Sequence, residues 1–341
     1  MSLIVLHKLL AIVCTVALGW VAGRMRWLGE AGGPAGSDPA RLLGNAAFFI
    51  FVPALLVRTT ARLDLQALPR TTLLAFFVPA ILVTLAAYGL ARWQLRRTPR
   101  PDGQDLAEGE RRAAQPAARA FGVVFGNSVQ VGIPVAAAVF GEAGLGIHVT
   151  LVSLHALVLL TLLTVLVELD LARARAEHEA TASLWRTVRT TARNAVVHPV
   201  TLPVLVGLAW NLTGWPLPGA VDETLQLMGT AVAPVCLVLI GLSLAYTRVA
   251  GALRPALGIA AAKLLLLPAV VLATAHGLFG LSGLPLAVVT LMAALPSGSN
   301  ALIFAQRYRS QEAEATAAIV LSTLGFVLTA PLWLAVLAWI G

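Results

Sequence analysis

The chain has 341 residues, of which 58% are apolar and 12% charged, with a mean hydropathy of +0.85. Soluble domains run about 45–50% apolar and about 25% charged, so the composition excludes an ordinary cytosolic enzyme. The formal net charge of +8 would suggest nucleic acid in a soluble protein. Here the arginines fall in short segments between apolar runs, where membrane topology accounts for them and no nucleic-acid partner is needed.

A bilayer core about 30 Å thick takes about 20 apolar residues per helical span. The apolar runs and their polar breaks predict ten spans, near 3–24, 41–60, 70–93, 119–141, 146–169, 194–213, 221–247, 254–277, 283–306 and 313–340. The fold class is an all-α polytopic membrane protein. Span one is followed by Arg24 and Arg26. A cleaved leader carries its charge before the apolar run, so this reads as a retained helix. Cys14 and Cys236 lie inside spans with no CxxC spacing, which supports neither a disulfide nor a zinc site. Residues 94–118 mix charges with Pro and Gly and read as a flexible cytoplasmic linker. For 171–193 two readings stand, an amphipathic surface helix with Trp185 at the interface and a solvated charged linker.

With the N-terminus outside, nineteen of the 24 Lys and Arg fall in inside segments, from Arg24 through Arg309. Only Lys8, Arg58, Arg62 and Arg70 fall outside, and Lys263 lies within span eight. This asymmetry predicts a multi-pass protein of the cell (plasma or inner) membrane with both termini outside.

The sequence also repeats. Val78-Pro79-Ala80-Ile81-Leu82-Val83 of span three resembles Leu267-Pro268-Ala269-Val270-Val271-Leu272 of span eight. Gly19 and Trp27 of span one match Gly207 and Trp215 of span six, and Val52-Pro53 of span two matches Ala233-Pro234 of span seven. The shared order predicts two five-helix repeats, 1–169 and 194–341, joined by a cytoplasmic linker at 170–193. Five is odd, so the second repeat enters the membrane inverted, an arrangement common in secondary transporters.

Spans four and nine are broken at equivalent places. The first holds Gly126-Asn127-Ser128-Val129-Gln130-Val131-Gly132-Ile133-Pro134, the second Ala294-Leu295-Pro296-Ser297-Gly298-Ser299-Asn300. Proline removes a donor and clashes with the preceding turn, while glycine loosens the helix. Irregular backbone at that depth must face protein or a watery cavity. Each half-helix after a break begins with unpaired N–H groups and about half a positive charge. Two such ends at one cavity favour a carboxylate or similar anion. Asn127, Gln130, Gly132, Pro134, Pro296, Ser297, Ser299 and Asn300 are therefore the candidate substrate-binding residues. The structural alternative is a pair of kinked helices with satisfied polar side chains.

These motifs resemble the auxin efflux carrier (AEC) family of permeases. Asn127 through Pro134 is similar to that family's Asn-x-x-x-x-Gly-[Ile/Leu]-Pro stretch. Ala294-Leu295-Pro296-Ser297-Gly298 with Ile303-Phe304-Ala305-Gln306-Arg307-Tyr308 is similar to its second crossover. Ser322-Thr323, Pro331 and Val52-Pro53-Ala54-Leu55-Leu56 also fit, so the likeness covers essentially the whole chain. The resemblance implies ten helices in two inverted repeats, spans four and nine crossing at Pro134 and Pro296, and Asn127 contacting the substrate. It implies auxin or, in bacteria, malate, malonate and similar acids as cargo. One motif departs: where plant carriers have Asn-Pro-Asn-Thr, this chain has His198-Pro199-Val200-Thr201. That favours an anion other than auxin.

Two further residues join the candidates. Lys263 is an ionisable group well inside span eight, which marks a site by default; its charge either complements an anion or snorkels to the cytoplasmic surface. His198 immediately precedes Pro199 at the start of span six, whereas His155 and His276 read as packed residues. Gly19/Gly23 and Gly122/Gly126 are spaced for close helix packing. No Asp or Glu falls mid-span, which argues against cation–proton antiport. HExxH, GxSxG and Walker motifs are absent from the sequence, and no nucleophile or metal cluster supports an intramembrane enzyme. The sequence thus reads as a carrier of a small organic anion working by alternating access, with no cofactor. A coupling proton or sodium ion stays open, apolar faces leave room for a homodimer, and a sodium-coupled symporter of the bile-acid type is the alternative.

Overall fold

The computed structural model describes residues 3–29, 39–62, 70–99, 105–178, 201–246 and 250–340. In chain order the helices are α1 (Leu3–Arg24), α2 (Pro39–Ala61), α3 (Arg70–Arg97), α4 (Leu106–Val124), α5 (133–140) and α6 (Ala143–Ala176). They continue as α7 (Thr201–Leu212), α8 (Gly219–Tyr246), α9 (Leu253–Gly277), α10 (Gly283–Ala294), α11 (Asn300–Arg307) and α12 (Glu312–Ile340). Six of them, α2, α3, α6, α8, α9 and α12, are long and apolar enough to cross a membrane. Among the described residues the one non-helical pairing is an antiparallel bridge between Gly126 and Ser297. A helix suits this solvent because it satisfies its own backbone where no water can. Buried threonines do the same locally, as where the Thr60 and Thr84 hydroxyls donate to the Leu56 and Ala80 carbonyls at 2.7 Å each.

The start of span four corrects the sequence reading. Residues 94–118 are not linker throughout, because α4 begins at Leu106 rather than near 119. Asp105 caps it, its carboxylate accepting from the Glu108 N–H at 2.7 Å, and such a cap supplies a partner for one of the four orphan donors of a helix start. The helix then buries Ala114, Pro116, Ala117 and Ala118. At the other end of this half, Gly141 (φ +65°) turns α5 into α6, a conformation that costs glycine nothing. Helix α6 runs on to Ala176, into the segment read as linker. His198 and Trp185 lie outside the described residues.

The helices sort into two bundles. In one, α1 packs on α8, and α2 on both α7 and α8. Small residues allow the approach: a Cβ on Gly19 would stand 2.3 Å from the Val238 carbonyl, and one on Gly207 2.5 Å from the Val57 carbonyl. In the other, α3 packs on α4 and α9, α4 on α6, and α9 on α10 and α12. Charged pairs hold this second bundle at one end. Arg119 grips Glu314 with two bonds of 2.9 and 2.8 Å, Arg92 and Arg173 flank Asp170, and Arg175 meets Glu110. Tyr308 donates to Glu168 at 3.1 Å; burial, with that carboxylate beside it, pushes the phenol up and keeps it a donor.

Candidate functional site

Helix α4 stops where the chain turns extended at Phe125 (φ −83°, ψ 103°), although the Phe125 N–H still reaches the Phe121 carbonyl at 2.9 Å. Asn127 (φ −76°, ψ 65°) then starts a π-helical turn over Ser128–Gly132, and its carbonyl accepts from Val131 and Gly132. Helix α10 likewise ends at Ala294, with Leu295 extended, and α11 starts at Asn300.

The two breaks satisfy each other. Asn127 N–H donates to the Pro296 carbonyl and Gly298 N–H to the Phe125 carbonyl, both at 2.8 Å, around the Gly126–Ser297 bridge. The backbones meet so closely that a Cβ on Gly298 would stand 3.0 Å from the Gly126 carbonyl. Ser297, fully buried, donates its hydroxyl to Gly122 at 2.7 Å and its N–H to the Ser322 hydroxyl at 3.0 Å. Ser128 is tied in from α6, where His148 Nε2–H donates to its carbonyl at 2.9 Å; a carbonyl only accepts, which fixes the tautomer.

Electrostatics divide the crossing into two sides. On one, the carbonyl ends of α4 and α10, carrying partial negative charge, converge near Lys263. That side chain is fully buried in a π-helical turn of α9 and donates to the Ala293 carbonyl at 2.6 Å. A Cβ on Gly126 would stand 3.4 Å from its Nζ. Lys263 therefore meets the crossing from behind and does not snorkel.

On the other side, the N-terminal ends of both second arms face a cavity of about 340 Å³, within the range of small-ligand sites. Its lining includes Asn127, Ser128, Ser299 and Asn300 at the breaks, Leu55, Leu56 and Arg58 of α2, His155 and Ala156 of α6, and Gln226 and Gly229 of α8. Asn300 Oδ1 is buried with no hydrogen-bond partner among the described residues.

The predicted residues thus divide. Asn127, Ser299 and Asn300 line the cavity; Pro296, Ser297 and Lys263 build the crossing behind it. Gly132 serves packing, since a Cβ there would stand 2.5 Å from His148 Nε2. The side chains of Gln130 and Pro134, like all of His198, lie outside what is described. Sequence reasoning missed Ser128, Arg58 and Gln226 as lining residues; His155, read as packed, is indeed buried against the Phe125 and Phe76 rings and also reaches the lining. Ser128 was legible as a small polar neighbour of Asn127. Arg58 carried no signal beyond being a charge near the end of span two.

Comparison with known proteins follows this geometry. A family model described as membrane transport protein matches residues 4–334. The chain is similar to an uncharacterized transporter, YfdV, of Escherichia coli (strain K12), at 30% identity over 41% of this chain and 44% of the relative. YfdV of Shigella flexneri matches equally. Auxin efflux carrier component 8 of Arabidopsis thaliana is 25% identical over 54% of this chain and 61% of its own. The chain thus spans about half the length of the curated relatives it matches.

Proposed function

We infer a secondary carrier of a small organic anion from one premise: the chain belongs to the membrane transport protein family, the auxin efflux carrier family of transporters. The observation that carries the reading is the cavity at the crossing. Two half-helix N-termini, each with partial positive charge, face it, together with the side chains of Asn127, Ser128, Ser299 and Asn300. A carboxylate supplies negative charge and acceptors where that surface supplies donors. Malate, malonate and auxin-like acids are of a size for about 340 Å³.

Alternating access is then a movement of one bundle against the other, with the cavity between them. Each bundle draws helices from both halves of the chain, so the moving units are not the repeats themselves. The packing supports an inverted repeat. The pair α1 on α8 and the pair α2 on α7 exchange under a two-fold that maps spans one and two onto six and seven, and Gly19 and Gly207 take matching places in them. The predominance of basic residues at one end supports a cytoplasmic location for that end and outside termini. A sodium-coupled symporter of the bile-acid type is not favoured by the family match.

The test is solid-supported-membrane electrophysiology on proteoliposomes with a panel of mono- and dicarboxylates plus indole-3-acetate. We expect a current with at least one acid and its loss in Asn127→Ala. Silence toward every acid, across proton and sodium gradients, overturns the reading.

A further inference from the structure

Arg58 is the only Lys, Arg, Asp or Glu among the described residues lining the cavity. It lies in the last turn of α2. Its Nε donates to Asp222 Oδ1 at 2.9 Å, and its Nη2 to Asp222 Oδ2 at 3.3 Å and to Gln226 Oε1 at 2.8 Å. The planar fork of an arginine fits any carboxylate in this two-bond manner. Asp222, in the first turn of α8, has a second cation: Arg62 Nη2 stands 2.9 Å from its Oδ2.

Resting on the anion-carrier reading, we propose that Arg58 recognises the carboxylate of the entering anion, exchanging Asp222 for it at the mouth of the cavity. The exchange replaces one carboxylate by another on the same guanidinium, so no hydrogen bond is lost in kind. A largely buried carboxylate stripped of its partner is strongly destabilised, but Asp222 keeps Arg62 when Arg58 turns to the ligand. Gln226, on the same helix face and lining the same cavity, stays within reach of both partners. Arg58 also belongs to the other bundle from Asn127, Ser299 and Asn300. A ligand touching both sets joins the two bundles, and only while the cavity opens at this end. Arg58 thereby sets affinity and acid selectivity on one face of the membrane.

A bare staple between α2 and α8 is the competing role, and the two differ in sign. The experiment measures half-saturation of the current in proteoliposomes, with malonate or whichever acid of the panel drives the wild-type protein, plus the melting temperature of each variant. Arg58→Gln is expected to weaken the acid tenfold or more, and Arg58→Lys, which keeps charge but not the fork, severalfold. Asp222→Asn, which removes the competing carboxylate, is expected to keep or improve affinity by a few fold even where it lowers the melting temperature. Arg62→Gln, leaving Asp222 to Arg58 alone, is expected to weaken the acid modestly. Asp222→Asn weakening the acid as much as Arg58→Gln overturns the proposal in favour of the staple. Unchanged affinity in Arg58→Gln and Arg58→Lys overturns it while leaving the carrier reading intact. A wild-type protein silent toward the whole panel overturns the carrier reading, and this proposal with it.

Discussion

Asn127 serves the crossing with its backbone and the cavity with its side chain. Its N–H is taken by the Pro296 carbonyl and its own carbonyl closes the π-helical turn, neither of which needs the amide group. Asn127→Ala is expected to lower anion transport at least tenfold while leaving a folded protein with a cooperative melting transition. A matching collapse of both would make Asn127 structural. Lys263 is the converse case. Its ammonium faces carbonyl ends behind the crossing, so Lys263→Met leaves the Ala293 carbonyl without its donor at full burial. Stranding a buried acceptor costs about 1–3 kcal/mol, and a lowered melting temperature in Lys263→Met checks it; an unshifted one places the ammonium elsewhere. The depth of Lys263 was legible in the sequence, since spacing along a helix gives it. Its partner was not, because Ala293 lies 30 residues on. Nor was the Arg58–Asp222 pair, whose members are 164 residues apart and joined by how two spans pack.

At the scale of elements, the breaks were the most legible feature because their cause is local. Clustered proline, glycine and small polar residues break a helix locally, as around Gly126, Pro296 and Gly298 here, whereas Pro79, Pro234 and Pro331 stand alone inside continuous helices. What the breaks do for each other was not legible, since the bridge needs both backbones at one place. Gly298 has no side chain because the Gly126 carbonyl occupies the room. Overpacking of a tight site costs about 1–3 kcal/mol, so Gly298→Val is expected to lower the melting temperature and abolish transport together. Normal transport in that variant would mean that the close approach of the two breaks is not needed. The start of α4 shows the opposite failure. The mixed charges, Pro and Gly of residues 94–118 read as linker, although Asp105 caps a helix there, Arg175 meets Glu110 and the Arg111 carbonyl accepts from Ser310. Polar residues at a helix end beside other polar helix ends look, in sequence alone, like a linker.

For the whole molecule, the decisive asymmetry is between its two ends. Arg119–Glu314, Arg92–Asp170 and Arg175–Glu110 gather at one end of the second bundle, and Arg58 of the cavity lining, with Arg62 and Asp222 beside it, lies toward the opposite end of the molecule. Basic residues retained on the cytoplasmic side set topology, so the first end should face inward and the mouth outward. Two exposed turns report this without touching either site: Arg309, after α11, and Thr213, after α7. In a Cys14→Ser, Cys236→Ser background, a membrane-impermeant maleimide should label Thr213→Cys in intact cells. It should reach Arg309→Cys only after the membrane is opened. The cavity in this conformation would then be outward-facing, and Arg58 would meet substrate arriving from outside. Labelling in the reverse order inverts the topology and with it the side from which Arg58 acts, because the geometry of the mouth ties the arginine to its own end of the molecule and not to a direction of transport.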